Sequence, residues 1–240
     1  MPMESIKLTP RLLAVGEMVP PGARAADVGT DHGYLPVWLR QKGICKSVIA
    51  SDIAPGPLDA ARATARRYGV DGIDFRLCPG LEGIRPQEAD AVILAGMSGE
   101  TMAGILEDAA WDWTGKRLIL QPMTKRAELL AWLYGHGLHI REEKPVVEKH
   151  RLYWVLCAEA GAAPMPRPAY LWAGFTETEY ARRLRRQLER SLAGQRKARQ
   201  PDAAEVRRTE ELLEDMKDAY GWRDLRFPES KSPGGNEAGF

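Results

Sequence analysis

Three aspartates and two glycines in two short stretches are the residues of this 240-residue chain best placed to do chemistry. The first stretch reads Asp27-Val28-Gly29-Thr30-Asp31-His32-Gly33 and the second Ser51-Asp52-Ile53. A glycine turn leaving a strand, with an acidic residue about 20 positions on, lets backbone approach a nucleoside and a carboxylate accept hydrogen bonds from its ribose. Asp52 lies 23 residues past Gly29. Gly29 and Gly33 are read as the positions of close backbone approach. Charge then selects among ligands. A dinucleotide brings a pyrophosphate to the loop, and Asp31 stands where a second glycine would admit it, a repulsion of about 1 to 4 kcal/mol depending on the local dielectric. S-adenosylmethionine has no phosphate, carries a sulfonium and an ammonium, and presents a ribose diol, so Asp27, Asp31 and Asp52 all suit it.

These residues need a frame, and the sequence predicts an α/β one. Thr9-Pro10 reads as an N-cap followed by proline in the first helical turn, opening a short amphipathic helix that ends before Pro20-Pro21. Strands are expected at 25–28, 47–53, 73–77, 91–95 and 117–121. Helices are expected at 34–42, 57–68, 99–108 and 126–134. Such alternation implies a parallel sheet covered on both faces. Residues 138–147 and 152–158 break the rhythm as two strands joined by Glu148-Lys149-His150-Arg151, an antiparallel hairpin at the sheet edge.

Gly161 to Pro168 is a proline-rich break and the expected boundary between a domain at 1–162 and another at 169–226. Beyond it, Ala181, Leu184, Leu188 and Leu192 recur at helical spacing, as do Val206, Thr209, Leu213, Met216 and Tyr220, which predicts an antiparallel coiled hairpin. The first arm is basic and the second acidic, so the arms could pair with each other. Arg182, Arg183, Arg185 and Arg186 nevertheless occupy consecutive positions around one helix, so some must face outward, where phosphate contacts are available. Residues 227–240 are expected to form a flexible tail.

Composition excludes several classes. Hydrophobic residues make up 44% and charged residues 28%, with a net charge of +1, which speaks against disorder and gives no global case for a polyanionic partner. No stretch is apolar enough to span a membrane, no signal-peptide core opens the chain, and a cytoplasmic protein without a membrane partner is expected. Cys45, Cys78 and Cys157 are widely spaced in apolar runs, so buried free thiols are expected rather than disulfides or a metal site. Nothing points to an obligate protein partner.

With Ala95-Gly-Met-Ser-Gly-Glu100 and Leu120-Gln-Pro-Met123 added to the two acidic stretches, the chain resembles the bacterial TrmK family of tRNA (adenine-22-N1)-methyltransferases over residues 6 to 220. The resemblance implies a class I S-adenosylmethionine-dependent methyltransferase domain, Rossmann-like, whose seven-stranded sheet has an antiparallel last strand, followed by a coiled-coil domain. It implies tRNA as substrate. Ser98 departs from the glycine usual at that point of the family, and it can cap the helix that follows. The cofactor set then comprises Asp27, Gly29, Asp31, His32, Gly33, Asp52 and Ile53, with Cys78, Pro79, Gly80 and Leu81 as the adenine-side wall. Asp27 either contacts the cofactor or holds the glycine turn, and His32 either orients substrate or is structural.

Gly96, Met97 and Ser98 end the fourth strand, where this superfamily places the reacting group, and Asp31 is the candidate for stabilising charge that develops on the base. Tyr34, His150, Arg151 and Tyr153 are expected to line the mouth by stacking and phosphate contact. Trp111 and Trp113 are read as packing residues. The chain lacks an Asn-Pro-Pro-Tyr run, which favours a ring nitrogen over an exocyclic amine as acceptor. Two other readings remain open: a non-catalytic S-adenosylmethionine- and RNA-binding module, and a methyltransferase acting on a small molecule or protein, with the hairpin as an oligomerisation device.

Overall fold

A computed structural model describes residues 5–175, 178–198, 200 and 202–222. The expected tail at 227–240 lies outside them. Helix α1 (Pro10–Glu17) starts as its residues dictate: Thr9 Oγ1 accepts from Leu12 N at 3.5 Å, and Pro10 sits in the first turn, where a missing N–H leaves no bond unmade. Strand and helix then alternate through β1 (Arg24–Val28), α2 (Tyr34–Gln41), β2 (Ser47–Asp52), α3 (Pro55–Arg67), β3 (Ile73–Leu77), β4 (Ala91–Ser98), α4 (Gly99–Ala109), β5 (Arg117–Thr124) and α5 (Arg126–Gly135). β6 (Leu138–Glu148) and β7 (Arg151–Ala160) form the hairpin.

The seven strands lie in the order β3-β2-β1-β4-β5-β7-β6. The first five are parallel, and β7 runs antiparallel to both β5 and β6, so the hairpin closes one edge with its second strand innermost. Its turn has two residues, Lys149 (φ 47°) and His150 (φ 64°), both left-handed, which suits the twist of the strands they join. Edge strand β6 tolerates Pro145, which a central strand would not.

Side chains alternate between the faces of the sheet. Ala91 and Ile93 of β4 join a core with Val15 of α1, Leu39 of α2 and Ala65 of α3, while α4 and α5 pack together and bury Met102, Leu106, Leu129 and Leu133 completely. β1 has β2 on one side and β4 on the other, so the connections leaving β1 and β4 diverge and open a crevice at their C-terminal ends.

Two of the parallel strands outrun the expectation at their C-terminal ends. β4 continues past Ala95 to Ser98 and β5 past Gln121 to Thr124, with Met97 opposite Pro122 and Ser98 opposite Thr124. Pairing register cannot be read from one strand alone, and the glycine that looked like a strand end is a bulge: Gly96 at φ 85° lets the strand kink and resume. Gly99 then begins α4 so close to Lys125 that an added Cβ would lie 2.0 Å from the Lys125 carbonyl oxygen.

The chain divides into two compact units, Met1–Arg167 and Pro168–Phe240. The second contains α6 (Pro168–Ala173), α7 (Glu179–Lys197) and α8 (Ala203–Tyr220). Helix α6 was not expected, because six residues are too few to show a period. Its Ala169 and Ala173 join Ala181 and Met216 in a small core flanked by Leu184, Leu188 and Tyr220. Ala169 N donates to Asp215 Oδ2 at 2.6 Å, tying α6 to α8. Farther along the two long helices, Gln195 Nε2 donates to Glu205 Oε1 at 2.7 Å and Arg196 pairs with Glu210, so opposite charges do meet across the arms.

Gly33 is constrained twice, by its backbone and by its neighbour. Its φ is 67°, and an added Cβ would lie 2.7 Å from Ala61 Cβ and 2.9 Å from Ala61 Cα on α3. Gly22 has a similar φ of 78° with nothing within 4 Å. Gly33→Ala should therefore destabilise the protein by about 2 to 4 kcal/mol in urea unfolding and Gly22→Ala by about 1 kcal/mol. Equal losses at the two sites would show that packing against α3 contributes nothing.

Candidate active site

The loop after β1 is hung from the end of β2. Gly29 N and Thr30 N both donate to Ser51 O at 2.9 Å, and Gly33 N returns to Thr30 O at 3.0 Å. Gly29, Asp31 and Gly33 all have left-handed backbone, with φ of 76°, 52° and 67°. A left-handed aspartate is less costly than most side chains there, because its short polar group bonds locally. Asp52 braces the turn from the other side: its Oδ2 accepts from Asp31 N at 3.3 Å and its Oδ1 from Ala54 N at 3.0 Å. Each oxygen keeps lone-pair capacity for a further donor.

Asp27 is buried, and Thr30 Oγ1 donates to its Oδ2 at 2.7 Å, so this carboxylate does hold the turn. Burial pushes Asp27 up to about 6, opposed by the Thr30 hydrogen bond. The Asp31 side chain is 71% exposed, with Oδ1 3.8 Å from His32 Nε2, and His32 stacks on Tyr34 at 5.6 Å between ring centroids.

Two cavities meet at this loop. One, of about 450 Å³, lies between Gly29 and Asp52 on one side and Cys78, Pro79, Gly80 and Leu81 on the other, with Ile53 at its edge. Ile53 is 72% exposed, an apolar side chain with nothing yet to cover. The other, of about 500 Å³, is lined by Asp27, Asp31, His32, Tyr34 and Gly96. Gly29 and Met97 line both, and Met97 Cε would lie 3.0 Å from a Cβ placed on Gly29. The cavities thus adjoin at a thioether waist, a two-compartment trough that a side chain at residue 29 would crowd.

Most of the expected cofactor and strand-four residues come together around this trough. Gly33 does not line either cavity; its missing side chain serves the contact with Ala61 instead. Ser98 caps α4, its Oγ accepting from Thr101 N at 3.1 Å. Tyr153 lies below the Arg11 guanidinium, 5.7 Å from carbon Cζ to the ring centroid, whereas His150 and Arg151 are at the exposed end of the hairpin. On α7, Arg185 Nε bonds Glu189 at 2.8 Å and Arg186 bonds Glu179 at 2.7 Å, while Arg182 and Arg183 are exposed.

Sequence reasoning missed the α1 contribution. Thr9, Arg11 and Leu12 line the second cavity, and Arg11 Nη1 donates to Gln121 Oε1 at 2.6 Å. No local pattern marks Arg11, since only the sheet order brings α1 over the ends of β4 and β5. Trp111, read as a packing residue, is part of the first cavity's wall, with Lys116 Nζ 5.3 Å from its ring centroid; Trp113 is buried. The three cysteines are free and buried. Among the described residues no His, Cys, Asp or Glu cluster could hold a metal, and no helix is long and apolar enough to cross a membrane.

A parallel sheet reversing at β1 and β4, an antiparallel β7 and an acidic trough at the switch point define a class I methyltransferase domain. Residues 8–156 match the family model described as a methyltransferase domain, and the chain belongs to that family. Within it, the chain is 40% identical over 161 residues to the tRNA (adenine(22)-N(1))-methyltransferase of Bacillus subtilis strain 168, covering 66% of this chain and 68% of that one. The crystal structure of the B. subtilis M1A22 tRNA methyltransferase TrmK superposes with a TM-score of 0.80 at 28% identity, over 89% of this chain and 99% of the other. A candidate tRNA (m1A22) methyltransferase of Streptococcus pneumoniae, crystallised with S-adenosyl-L-methionine, superposes with a TM-score of 0.76 at 28% identity over the same shares. The chain is a member of the TrmK family.

The buried carboxylate makes stability depend on pH in a stated direction. Because folding raises the Asp27 pKa to about 6, the folded state favours the protonated form, and stability falls as pH rises from the unfolded value near 4 through 6. Between pH 4 and pH 7 the wild type should lose about 2 kcal/mol relative to Asp27→Asn, which keeps an acceptor for Thr30 but cannot ionise. Parallel unfolding curves for the two proteins across that range would show that Asp27 is not desolvated.

Proposed function

We propose that this protein transfers a methyl group from S-adenosylmethionine to N1 of an adenine in tRNA, adenine 22 as in the B. subtilis relative's name. The observation that carries the reading is the pair of adjoining cavities, with the Asp52 carboxylate in one compartment, Asp27 and Asp31 in the other, and Gly29 and Met97 shared between them. The donor set fits the cofactor: an acceptor for a ribose diol, an apolar wall at Cys78 to Leu81, and negative charge where a sulfonium and an ammonium would lie. When bound, S-adenosylmethionine supplies an electrophilic methyl group.

The chain's own residues then have distinct tasks. Asp52 holds the ribose, and Ile53 with Cys78, Pro79, Gly80 and Leu81 encloses the adenosine end. The waist at Gly29 and Met97 brings the two compartments within reach of one another, so in-line alignment is the main catalytic contribution. Gly96, Met97 and Ser98 border the incoming base, with Tyr34 and His32 as a stacked rim. Adenine N1 already has a lone pair, so no strong base is needed. Methylation leaves a positive charge on the ring, and the Asp31 carboxylate faces the cavity where that charge develops. N1 is engaged in a base pair within a duplex, so the target nucleotide enters unpaired or flipped.

Residues 1–162 act as the methyltransferase domain and 169–226 as an RNA-binding domain. Arg182, Arg183, Arg185 and Arg186 contact phosphates, those of Arg185 and Arg186 in competition with their own helix carboxylates. Tyr153, His150 and Arg151 form an RNA-contacting surface of the first domain. A tRNA-modifying enzyme works where tRNA is, so cytoplasmic location is part of this proposal.

The test is incubation with labelled S-adenosylmethionine and unmodified tRNA, followed by nucleoside mass mapping. Expected is one N1-methyladenosine per tRNA at position 22. Binding without incorporation would leave only a binding module, and label on a protein or metabolite instead would reassign the acceptor. Asp52→Ala should weaken S-adenosylmethionine binding about 10- to 100-fold in calorimetry, as loss of charge-assisted hydrogen bonds does, with the fold retained. An unchanged dissociation constant would remove Asp52 from the ribose.

A further inference from the structure

Helix α1 begins with the wrong sign of charge. Its first turn, Pro10-Arg11-Leu12, holds a cation and no acid at the end where the helix dipole favours negative charge. The missing anion arrives from the hairpin. Glu148, 137 residues away, accepts from Arg11 N at 3.1 Å through Oε2, and the Thr9 hydroxyl donates to the same carboxylate while accepting from Leu12 N. Both donors belong to the N-terminus of α1. Burial pushes Glu148 up, but these hydrogen bonds and the nearby charges of Arg11 and Lys149 outweigh it and hold the carboxyl below its ordinary value.

A helix of eight residues is marginal alone, so where α1 lies is decided by what holds it. Strand β6 holds both ends. Lys144, four positions before Glu148 and on the same face of the strand, pairs with Glu17 at 2.6 Å at the C-terminal end of the helix. The two ties differ in what they set. Lys144 and Glu17 are an exposed pair that lines neither cavity, whereas Glu148 fixes the turn whose Thr9, Arg11 and Leu12 form part of the second cavity's wall. From that turn Arg11 Nη1 reaches Gln121 Oε1 of β5 at 2.6 Å. Glu148 itself stays outside both cavities and acts through α1. We propose that Glu148 is a positioning residue for methyl transfer: by anchoring the first turn of α1 it sets the wall against which the target base is aligned. This rests on the methyltransferase reading, with the base in the second cavity.

Three variants of the full chain, checked for folding by circular dichroism and assayed at saturating S-adenosylmethionine over a range of tRNA concentrations, test the assignment. Glu148→Ala should lower kcat about tenfold or more, because a small displacement of an aligning wall is costly, while the KM for tRNA stays within about threefold of wild type. Glu148→Gln keeps an acceptor for Arg11 N and Thr9 without the charge and should recover part of the loss; should the alanine variant fail to fold, it carries the same comparison with a smaller expected effect. Lys144→Ala removes the other tie and should leave kcat within about twofold, as loss of an exposed ion pair does. Hydrogen exchange gives a readout independent of turnover: the peptide containing Arg11 and Leu12 should exchange faster in Glu148→Ala than in Lys144→Ala. Unchanged kcat in folded Glu148→Ala overturns the proposal. Equal loss of kcat in both alanine variants does so too, since Glu148 would then be one of two interchangeable fastenings, and a rise in the KM for tRNA alone would place its role in the turn at Lys149 and His150. Wild-type protein that methylates no tRNA would remove the methyltransferase reading, a failure seen before any variant is made and separate from the exchange comparison, which still reports whether Glu148 holds α1.

Discussion

The site depends on one attachment: the backbone turn after β1 is hydrogen-bonded to the last residues of β2. Two N–H groups converge on Ser51 O, and the Asp52 carboxylate receives the N–H of Asp31. The turn and the acidic strand end are therefore a single rigid piece. A carboxylate already engaged by backbone donors is held in orientation, ready for further donors from a ribose, with little left to reorganise on binding. Left-handed backbone at Asp31 is the conformational cost of that attachment, and glycine at 29 and 33 avoids it there.

The same loop separates charge by depth. Asp27 lies beneath it, desolvated and tied to Thr30, and Asp31 stands above it in solvent. Two acids four residues apart thus differ in environment, one structural and near-neutral in preference, the other free to meet a cation. On the far side of the trough, the bulge at Gly96 lets β4 and β5 extend beyond the point where their hydrophobic runs stop, and the extension brings Met97 against Gly29. The waist between the compartments is a product of pairing between strands, not of either strand's own residues.

The helical unit follows a different economy of contacts. Its long helices have narrow apolar seams, Ala181, Leu184 and Leu188 on α7 and Leu213 and Met216 on α8, and a short helix completes the small core at one end. Part of the arginine face is used within α7 itself, where Arg185 pairs with Glu189 and Arg186 with Glu179. Of the arginines read as a phosphate surface from sequence, Arg185 and Arg186 are engaged by carboxylates of their own helix, and Arg182, Arg183 and Arg186 are exposed.

Local chemistry made much of this legible without coordinates. Periodicity, caps and glycine stops marked the alternating strands and helices because each depends on residues a few positions apart, and the acidic loop declared its ligand class because charge is a property of residue type. The seven-stranded order, the length of β4, the contact of Gly33 with Ala61 and the arrival of Arg11 over Gln121 were decided only in three dimensions. Residues 11 and 121 are more than a hundred positions apart, and no local rule joins them. What the chain determined by itself was which groups could do chemistry; which of them share a cavity was settled by strand pairing and helix packing, because those interactions are made between segments that have no sequence relation to one another.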